Sequence, residues 1–110
     1  MEWKSDKSNE LDRLFFTRMR NQSIEMNPCC NSPEIHLYAH KWDDNFSSGW
    51  IWCSNCKNYS HIDGIGVSSD WSNLESIDDN MLCAVPDYLE QNKANIDKFM
   101  NKAIGIHQME

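Results

Sequence analysis

The chain has 110 residues, of which 40% are hydrophobic and 25% charged, so its composition is that of a single globular domain. Its formal net charge is −7. That excess of carboxylates argues against binding duplex nucleic acid or anionic lipid, because either would need clustered Lys and Arg. The sequence contains no apolar run of about 18 residues and no apolar signal segment at its start. We therefore expect a cytoplasmic protein without a membrane span.

The acidic charge is concentrated toward the C-terminus. Residues 62–110 carry nine acidic and three basic side chains, whereas residues 1–24 carry four acidic and five basic ones. A solvated surface explains such a segment, and so does a docking surface for a basic partner. On the second interpretation, the candidate contact residues are seven acidic side chains and one tryptophan: Asp63, Asp70, Trp71, Glu75, Asp78, Asp79, Asp87 and Glu90.

In chain order, the first predicted element is a helix within residues 1–24. Apolar side chains recur at helical spacing from Leu11 to Met19, and Ser8 is a suitable N-cap. We expect this helix to end near Asn21.

The middle section, residues 25–67, predicts short strands. Apolar and polar residues alternate over residues 34–40, which predicts a half-buried strand whose polar side faces solvent. That polar side carries His36, Tyr38 and His40. Composition predicts a loop at residues 43–49 and further strands at 50–52 and 59–62.

The last section, residues 68–110, predicts helices again. We expect a short, irregular helix over residues 71–82, capped by Asp70, and a longer helix that starts at Pro86 and ends before Gly105. Together the three sections predict one α+β domain, in which a small antiparallel, ribbon-like sheet packs against N-terminal and C-terminal helices. Six aromatic residues are expected to form its core or, alternatively, an exposed anchor for a partner: Trp42, Phe46, Trp50, Trp52, Tyr59 and Trp71.

The five cysteines point to a metal site or to plain burial. Their odd number, in a chain without an export signal, argues against a disulfide framework. Cys53 and Cys56 form a C-x-x-C turn, which can place two thiolates on one tetrahedral Zn²⁺. Twenty-two residues separate this turn from Cys29-Cys30, a gap that accommodates a hairpin.

Residues 27–63 resemble the zinc ribbon of small bacterial proteins of the restriction-alleviation type. In that family, a knuckle that reads C-P-x-C-G-S is followed by an aromatic strand and a C-x-N-C knuckle. The resemblance implies that Cys30, Cys53 and Cys56 are zinc ligands. It places Asn27, which does not ligate zinc, at the remaining ligand position. The candidates for a replacement ligand are Cys29, His36, His61 and Cys83.

Three interpretations of this stretch stay open. Zinc is bound with one of those replacement ligands, or the ribbon persists without metal and its cysteines act as small buried apolar residues, or there is no ribbon. A redox role for Cys53 and Cys56 is disfavoured, because residues 58–60 are a poor start for the helix that would stabilise a thiolate.

The sequence carries no catalytic motif that we recognise. Neither G-x-S-x-G nor a glycine-rich phosphate loop is present, so we expect a non-enzymatic protein. In length and charge the chain is similar to small bacterial immunity proteins. This similarity implies an antitoxin that occludes a basic toxin or nuclease and does not itself contact nucleic acid. The alternatives are a zinc-ribbon regulatory protein that acts on a nucleic-acid enzyme, and an unrecognised enzyme.

Overall fold

The computed structural model describes residues 2–19, 35–67, 69 and 71–105. The predicted α+β class is confirmed: a small antiparallel sheet has helices on both its N-terminal and C-terminal sides. Four predicted site positions lie outside the described residues: Asn27, Cys29, Cys30 and Asp70. In chain order, the elements are helix α1 (Ser8–Met19), strands β1 (Ile35–Asp43), β2 (Phe46–Cys53) and β3 (Tyr59–Asp63), a 3-10 helix (Asp79–Met81), and helices α2 (Asp87–Gln91) and α3 (Lys93–Gly105).

The three strands form one sheet in the order β1-β2-β3, with both pairs antiparallel. Trp50 in the central strand pairs with Tyr38 on one side and with His61 on the other. Because side chains alternate along a strand, these three rings share one face of the sheet. We call this side the aromatic face, and it consists of His36, Tyr38, His40, Trp42, Ser48, Trp50, Trp52, Tyr59, His61 and Asp63.

Helix α1 covers the opposite face of the sheet. Its Leu11 and Phe15 are fully buried, and the Phe15 ring lies directly over Gly49 of β2. A Cβ atom at residue 49 would stand 2.4 Å from Phe15 Cζ, far inside van der Waals contact. Glycine at this position therefore lets the helix approach the sheet closely.

The C-terminal elements cover the aromatic face. The Phe99 ring of α3 lies 6.0 Å from the Tyr38 ring, and the Trp50 indole donates a 2.8 Å hydrogen bond to the carbonyl oxygen of Cys83. The sheet is thus the middle of three layers. Within the described residues, no helix has the length and apolar character needed to cross a membrane.

The prediction that His36, Tyr38 and His40 face solvent is wrong, because all three side chains are buried. Each polar ring has a partner inside the protein. The Asp97 carboxylate of α3 lies 2.8 Å from His36 Nδ1, and the Tyr38 hydroxyl lies 2.9 Å from His40 Nδ1. Hydrogen bonding removes most of the cost of burying these groups.

The prediction of a loop over residues 43–49 is also wrong, because β2 begins at Phe46. Only Asp44 and Asn45 form the turn, and the Asp43 side chain supports it by accepting a hydrogen bond from the Asn45 backbone N–H. The small polar residues that follow belong to the strand. Ser48 is buried and donates a 2.8 Å hydrogen bond across the sheet to Asp63.

The helix predicted over residues 71–82 is reduced to the 3-10 turn at Asp79–Met81. The segment before it is tied to β1 by Asn73. The Asn73 side chain accepts a 2.7 Å hydrogen bond from the Lys41 backbone N–H and donates a 2.8 Å bond to the Lys41 carbonyl oxygen. It thereby satisfies backbone groups of β1, an edge strand of the sheet.

The long helix predicted from Pro86 is two helices, which meet at Asn92. The Asn92 side chain donates a 2.9 Å hydrogen bond to the Tyr88 carbonyl oxygen. Such local bonds compete with continuation of the helix, which explains the interruption.

Candidate binding surface and cysteine turn

Trp42, near the end of β1, is the exposed tryptophan on the aromatic face, with 41% of its surface accessible. Its indole Nε1–H donates a 3.0 Å hydrogen bond to Ser48 Oγ. Ser48 is only 2% exposed, and its hydroxyl in turn donates its own proton to Asp63 Oδ1, 2.8 Å away. The hydrogen bond to a buried serine fixes one edge of the indole, so the ring is held in one orientation.

His40 supports the other side of this tryptophan. The two ring centres are 4.6 Å apart, with the planes at 61°. His40 is 1% exposed, and its Nε2 lies 3.0 Å from Asp79 Oδ1. A T-shaped contact of this kind is favourable and restricts rotation of both rings.

The protonation of His40 is set by its burial and by its contacts with Tyr38 and Asp79. Burial raises the pKa of the Tyr38 hydroxyl well above its usual range, so this group keeps its proton and donates it to His40 Nδ1. The other ring nitrogen then carries the hydrogen that faces Asp79. Burial lowers the pKa of His40, although the Asp79 carboxylate opposes the shift. At neutral pH, His40 is therefore uncharged.

Asp63 is held in a similar way at the end of β3. Its Oδ1 lies 3.2 Å from His61 Nε2, and the His61 ring stacks on Trp50 at 4.8 Å between centres. The Asp63 and Asp79 side chains are 62% and 64% exposed, respectively. Two solvent-facing carboxylates are thus each held by a histidine, and each is linked to Trp42 through one intervening side chain.

Two more exposed apolar side chains follow or precede members of this group closely in the chain. Phe46 is two residues before Ser48 on the same strand, and Met81 is two residues after Asp79. We call this surface the Trp42 face, and it consists of Trp42, Phe46, Asp63, Asp79 and Met81. Exposed apolar groups next to carboxylates are typical of protein–protein contact sites.

The predicted contact residues fall into different places. Asp63 and Asp79 lie on the Trp42 face. Asp78 caps the 3-10 helix by accepting a 3.0 Å hydrogen bond from the Asn80 N–H. Trp71 packs against the Phe99 ring at 5.7 Å, and Glu75 and Asp87 are exposed elsewhere on the C-terminal layer.

Glu90, the last of the predicted contact residues, makes hydrogen bonds to other residues of the protein. Its Oε1 accepts hydrogen bonds from Trp52 Nε1 at 2.9 Å and from Ser54 Oγ at 2.7 Å, and its Oε2 accepts one from Lys93 Nζ at 3.1 Å. Burial raises the pKa of this carboxyl, but the three donors outweigh it and hold the pKa below its usual value. Glu90 thus joins α2 to the C-x-x-C turn.

The C-x-x-C turn itself is tightly closed. The Cys53 N–H donates to the Asn58 carbonyl oxygen, and the Lys57 N–H donates to the Cys53 carbonyl oxygen, both at 2.9 Å. Lys57 adopts a left-handed conformation with φ of 65°, and the Asn58 side chain donates to Cys56 Sγ at 3.3 Å. Cys56 forms a disulfide, whereas Cys53 and Cys83 do not. The odd cysteine count did not predict that bond, and a disulfide sulfur is not a thiolate ligand.

The candidate replacement ligands are spread over the sheet. His36 is bonded to Asp97 and His61 to Asp63, both on the aromatic face, while the pairing of Ile35 with Cys53 places the cysteine on the opposite face. Cys83 Sγ lies 3.4 Å from the Val85 carbonyl oxygen. Among the described residues, no three His, Cys, Asp or Glu side chains come together as a metal site. Zinc ligation by Cys30, Cys53 and Cys56 stays a prediction.

Comparisons with family models, with curated proteins and with solved structures give no match to this chain. The resemblances to a zinc ribbon and to immunity proteins therefore stay predictions. Function has to be inferred from the geometry of the Trp42 face and of the cysteine turn.

Proposed function

We propose that this protein is a non-enzymatic, cytoplasmic protein-binding module, and that it engages a basic protein through the Trp42 face. The observation that carries this proposal is the exposed indole of Trp42, fixed by Ser48 and His40, which in turn bind two exposed carboxylates. Tryptophan is enriched among residues that dominate binding energy. A ring that is already fixed loses little conformational entropy when a partner covers it.

Charge favours a cationic partner. The chain carries a net charge of −7, and the described ion-pair partners of Asp63 and Asp79 are histidines rather than Lys or Arg. Carboxylates at the rim of an interface accelerate association with a basic protein and select against acidic ones. An immunity protein that occludes a basic toxin or nuclease fits this description, and we propose that role.

A hydrolytic function is disfavoured by the one Ser–His–Asp group on this face. In a catalytic triad, the serine hydroxyl donates to histidine, which removes its proton. Here the Ser48 hydroxyl donates to Asp63 instead, and Ser48 is buried under the Trp42 indole. The serine proton is therefore directed at a carboxylate rather than at a histidine, and the serine is not accessible to a substrate.

The proposal is tested by co-expressing the chain with the proteins encoded on either side of its gene and measuring binding by calorimetry. The double variant Asp63→Lys/Asp79→Lys should weaken binding of the basic partner at least tenfold. The matched control Asp6→Lys/Glu10→Lys makes the same charge change at exposed residues around the start of α1, in the layer opposite the aromatic face. It should stay within about twofold of the wild type, and equal losses in both variants would contradict the proposal.

A zinc-ribbon regulatory protein is the second candidate, and the C-x-x-C turn favours it. The turn closes on itself through Cys53 and Asn58, with a left-handed residue directly after the second cysteine. Such a turn can present two sulfurs to one metal once Cys56 is reduced. Purified, reduced protein should then hold close to one zinc per chain, and protein without zinc would reject this candidate.

A further inference from the structure

We infer that the Trp42 face contains a site for the guanidinium group of one arginine side chain of the partner. This inference rests on the proposed function, because it names the chemical group that the binding surface recognises. It depends on three features of the described residues: the exposed part of the indole, the two carboxylates connected to it, and the charge state of His40.

The indole offers a flat surface that is held in place. Its N–H edge is bound to Ser48, the His40 plane meets it at 61°, and 41% of the residue stays accessible. This exposed part of Trp42 is the surface on which we place the stacked cation. Arginine stacks flat on tryptophan more readily than lysine does, because its cation is planar and weakly hydrated.

The two carboxylates are each connected to this ring through one intervening side chain. Asp63 is one hydrogen bond away from Ser48, which is itself hydrogen-bonded to the indole. Asp79 is bonded to His40, whose ring is in contact with Trp42. A guanidinium stacked on the indole directs its N–H groups outward in a plane parallel to the ring, and carboxylates accept such groups in pairs.

Asp79 keeps its negative charge available for this cation. Its histidine neighbour is fully buried and accepts a hydrogen bond from Tyr38, so it stays neutral near pH 7. A lysine ammonium can approach one carboxylate or the ring as a point charge, whereas a guanidinium can stack and bond at once. The geometry therefore favours arginine over lysine.

The test follows the backbone amide and indole N–H signals of the ¹⁵N-labelled full chain by NMR. The probe is the peptide acetyl-Gly-Gly-Arg-Gly-Gly-amide, compared with versions that carry lysine or uncharged citrulline in place of arginine. The arginine peptide should shift the Trp42 indole signal and the Asp63 and Asp79 amides. The lysine peptide should bind at least threefold more weakly, and the citrulline peptide should leave the indole signal unmoved.

Variants locate the site. Trp42→Leu should abolish the arginine-specific shifts, whereas the Asp6→Lys/Glu10→Lys control should retain them. Equal binding of the arginine and lysine peptides, or shifts spread over acidic residues away from Trp42, would overturn the inference. The peptide comparison uses the wild-type chain alone, so it decides the question even if a variant fails to fold.

The outcome is separable from that of the proposed function. Suppose a basic partner loses binding in Asp63→Lys/Asp79→Lys while no arginine preference is seen at Trp42. The arginine site is then wrong and the binding module stands. If the peptide selects Trp42 but neither neighbouring gene product binds, the immunity role fails and the arginine site stands.

Discussion

Asp79 Oδ1 lies 3.0 Å from His40 Nε2, so a carboxylate that is 64% exposed is joined to an imidazole that is 1% exposed. The contact links the acidic surface to the aromatic interior of the fold. It makes the position of Asp79, and with it one side of the Trp42 face, depend on a buried titratable ring.

The first prediction concerns the pH dependence that follows from this pair. Burial lowers the pKa of His40 below its ordinary value of 6.5, so the unfolded chain takes up a proton more readily than the folded one. Stability is therefore lost as pH falls below the unfolded value toward the folded one, by at most roughly 1.4 kcal/mol per pH unit. Urea denaturation should show a smaller acid loss for His40→Gln than for the wild type.

Asp79→Asn tests the same pair from the other side. The carboxylate raises the pKa of His40, so its removal should lower that pKa further. Titration of the His40 ring signals by NMR measures the shift directly. An unchanged or higher His40 pKa in Asp79→Asn would show that the Asp79 carboxylate does not stabilise the protonated form of His40.

Glu90 is predicted to stabilise the fold rather than to bind a partner. Its side chain is 19% exposed and accepts hydrogen bonds from Trp52, Ser54 and Lys93. Glu90→Gln should reduce the free energy of unfolding by about 1.5–3 kcal/mol at neutral pH, a typical value for charge-assisted hydrogen bonds. Glu75→Gln, at an exposed position, should cost less than about 0.5 kcal/mol.

The stabilisation of the fold by Glu90 should also decrease in acid. The donors hold the folded pKa of this carboxyl below its ordinary value of 4.5, so its contribution is complete above that pH. It is lost as pH falls from there through the folded pKa. Wild type and Glu90→Gln should converge in stability over this range, and a gap that stays constant would contradict the assignment.

Gly49→Ala should destabilise the packing of α1 on the sheet. The new Cβ would stand 2.4 Å from Phe15 Cζ, and overpacking of this kind costs about 1–3 kcal/mol. Gly66→Ala is the control, because nothing lies within 4 Å of a Cβ there. Thermal unfolding should show the loss for Gly49→Ala only, and the smaller side chain of Phe15→Leu should restore part of it.

The helices and strands that depend on local pattern could be predicted from the sequence. The helix that begins at Ser8 and the alternation through Tyr38 follow from spacing alone. Periodicity does not say which strand face is buried, because that depends on Asp97, which lies 61 residues beyond His36. The burial of both sheet faces is thus a tertiary property.

The candidate site was predicted only in part, for a similar reason. Charge alone predicts Asp63, Asp79 and Glu90 equally as contact residues. It does not reveal that Glu90 accepts a hydrogen bond from Trp52, which lies 38 residues away in the chain. Trp42 could not be separated from the core tryptophans by composition. The signal that distinguishes it is its place two residues before the Asp44-Asn45 turn, at an exposed end of the hairpin.

The most direct test of the Trp42 face is the charge that its indole experiences in solution. Subtracting the fluorescence of Trp42→Phe from that of the wild type isolates the emission of Trp42. The quenching constants for caesium and for iodide are then compared at equal ionic strength, each divided by the constant of free N-acetyltryptophanamide, because iodide quenches any indole more efficiently than caesium does. The acidic surface predicts a larger relative constant for caesium than for iodide, with the order reversed in Asp63→Lys/Asp79→Lys. Equal relative constants, or a larger relative constant for iodide in the wild type, would contradict the account.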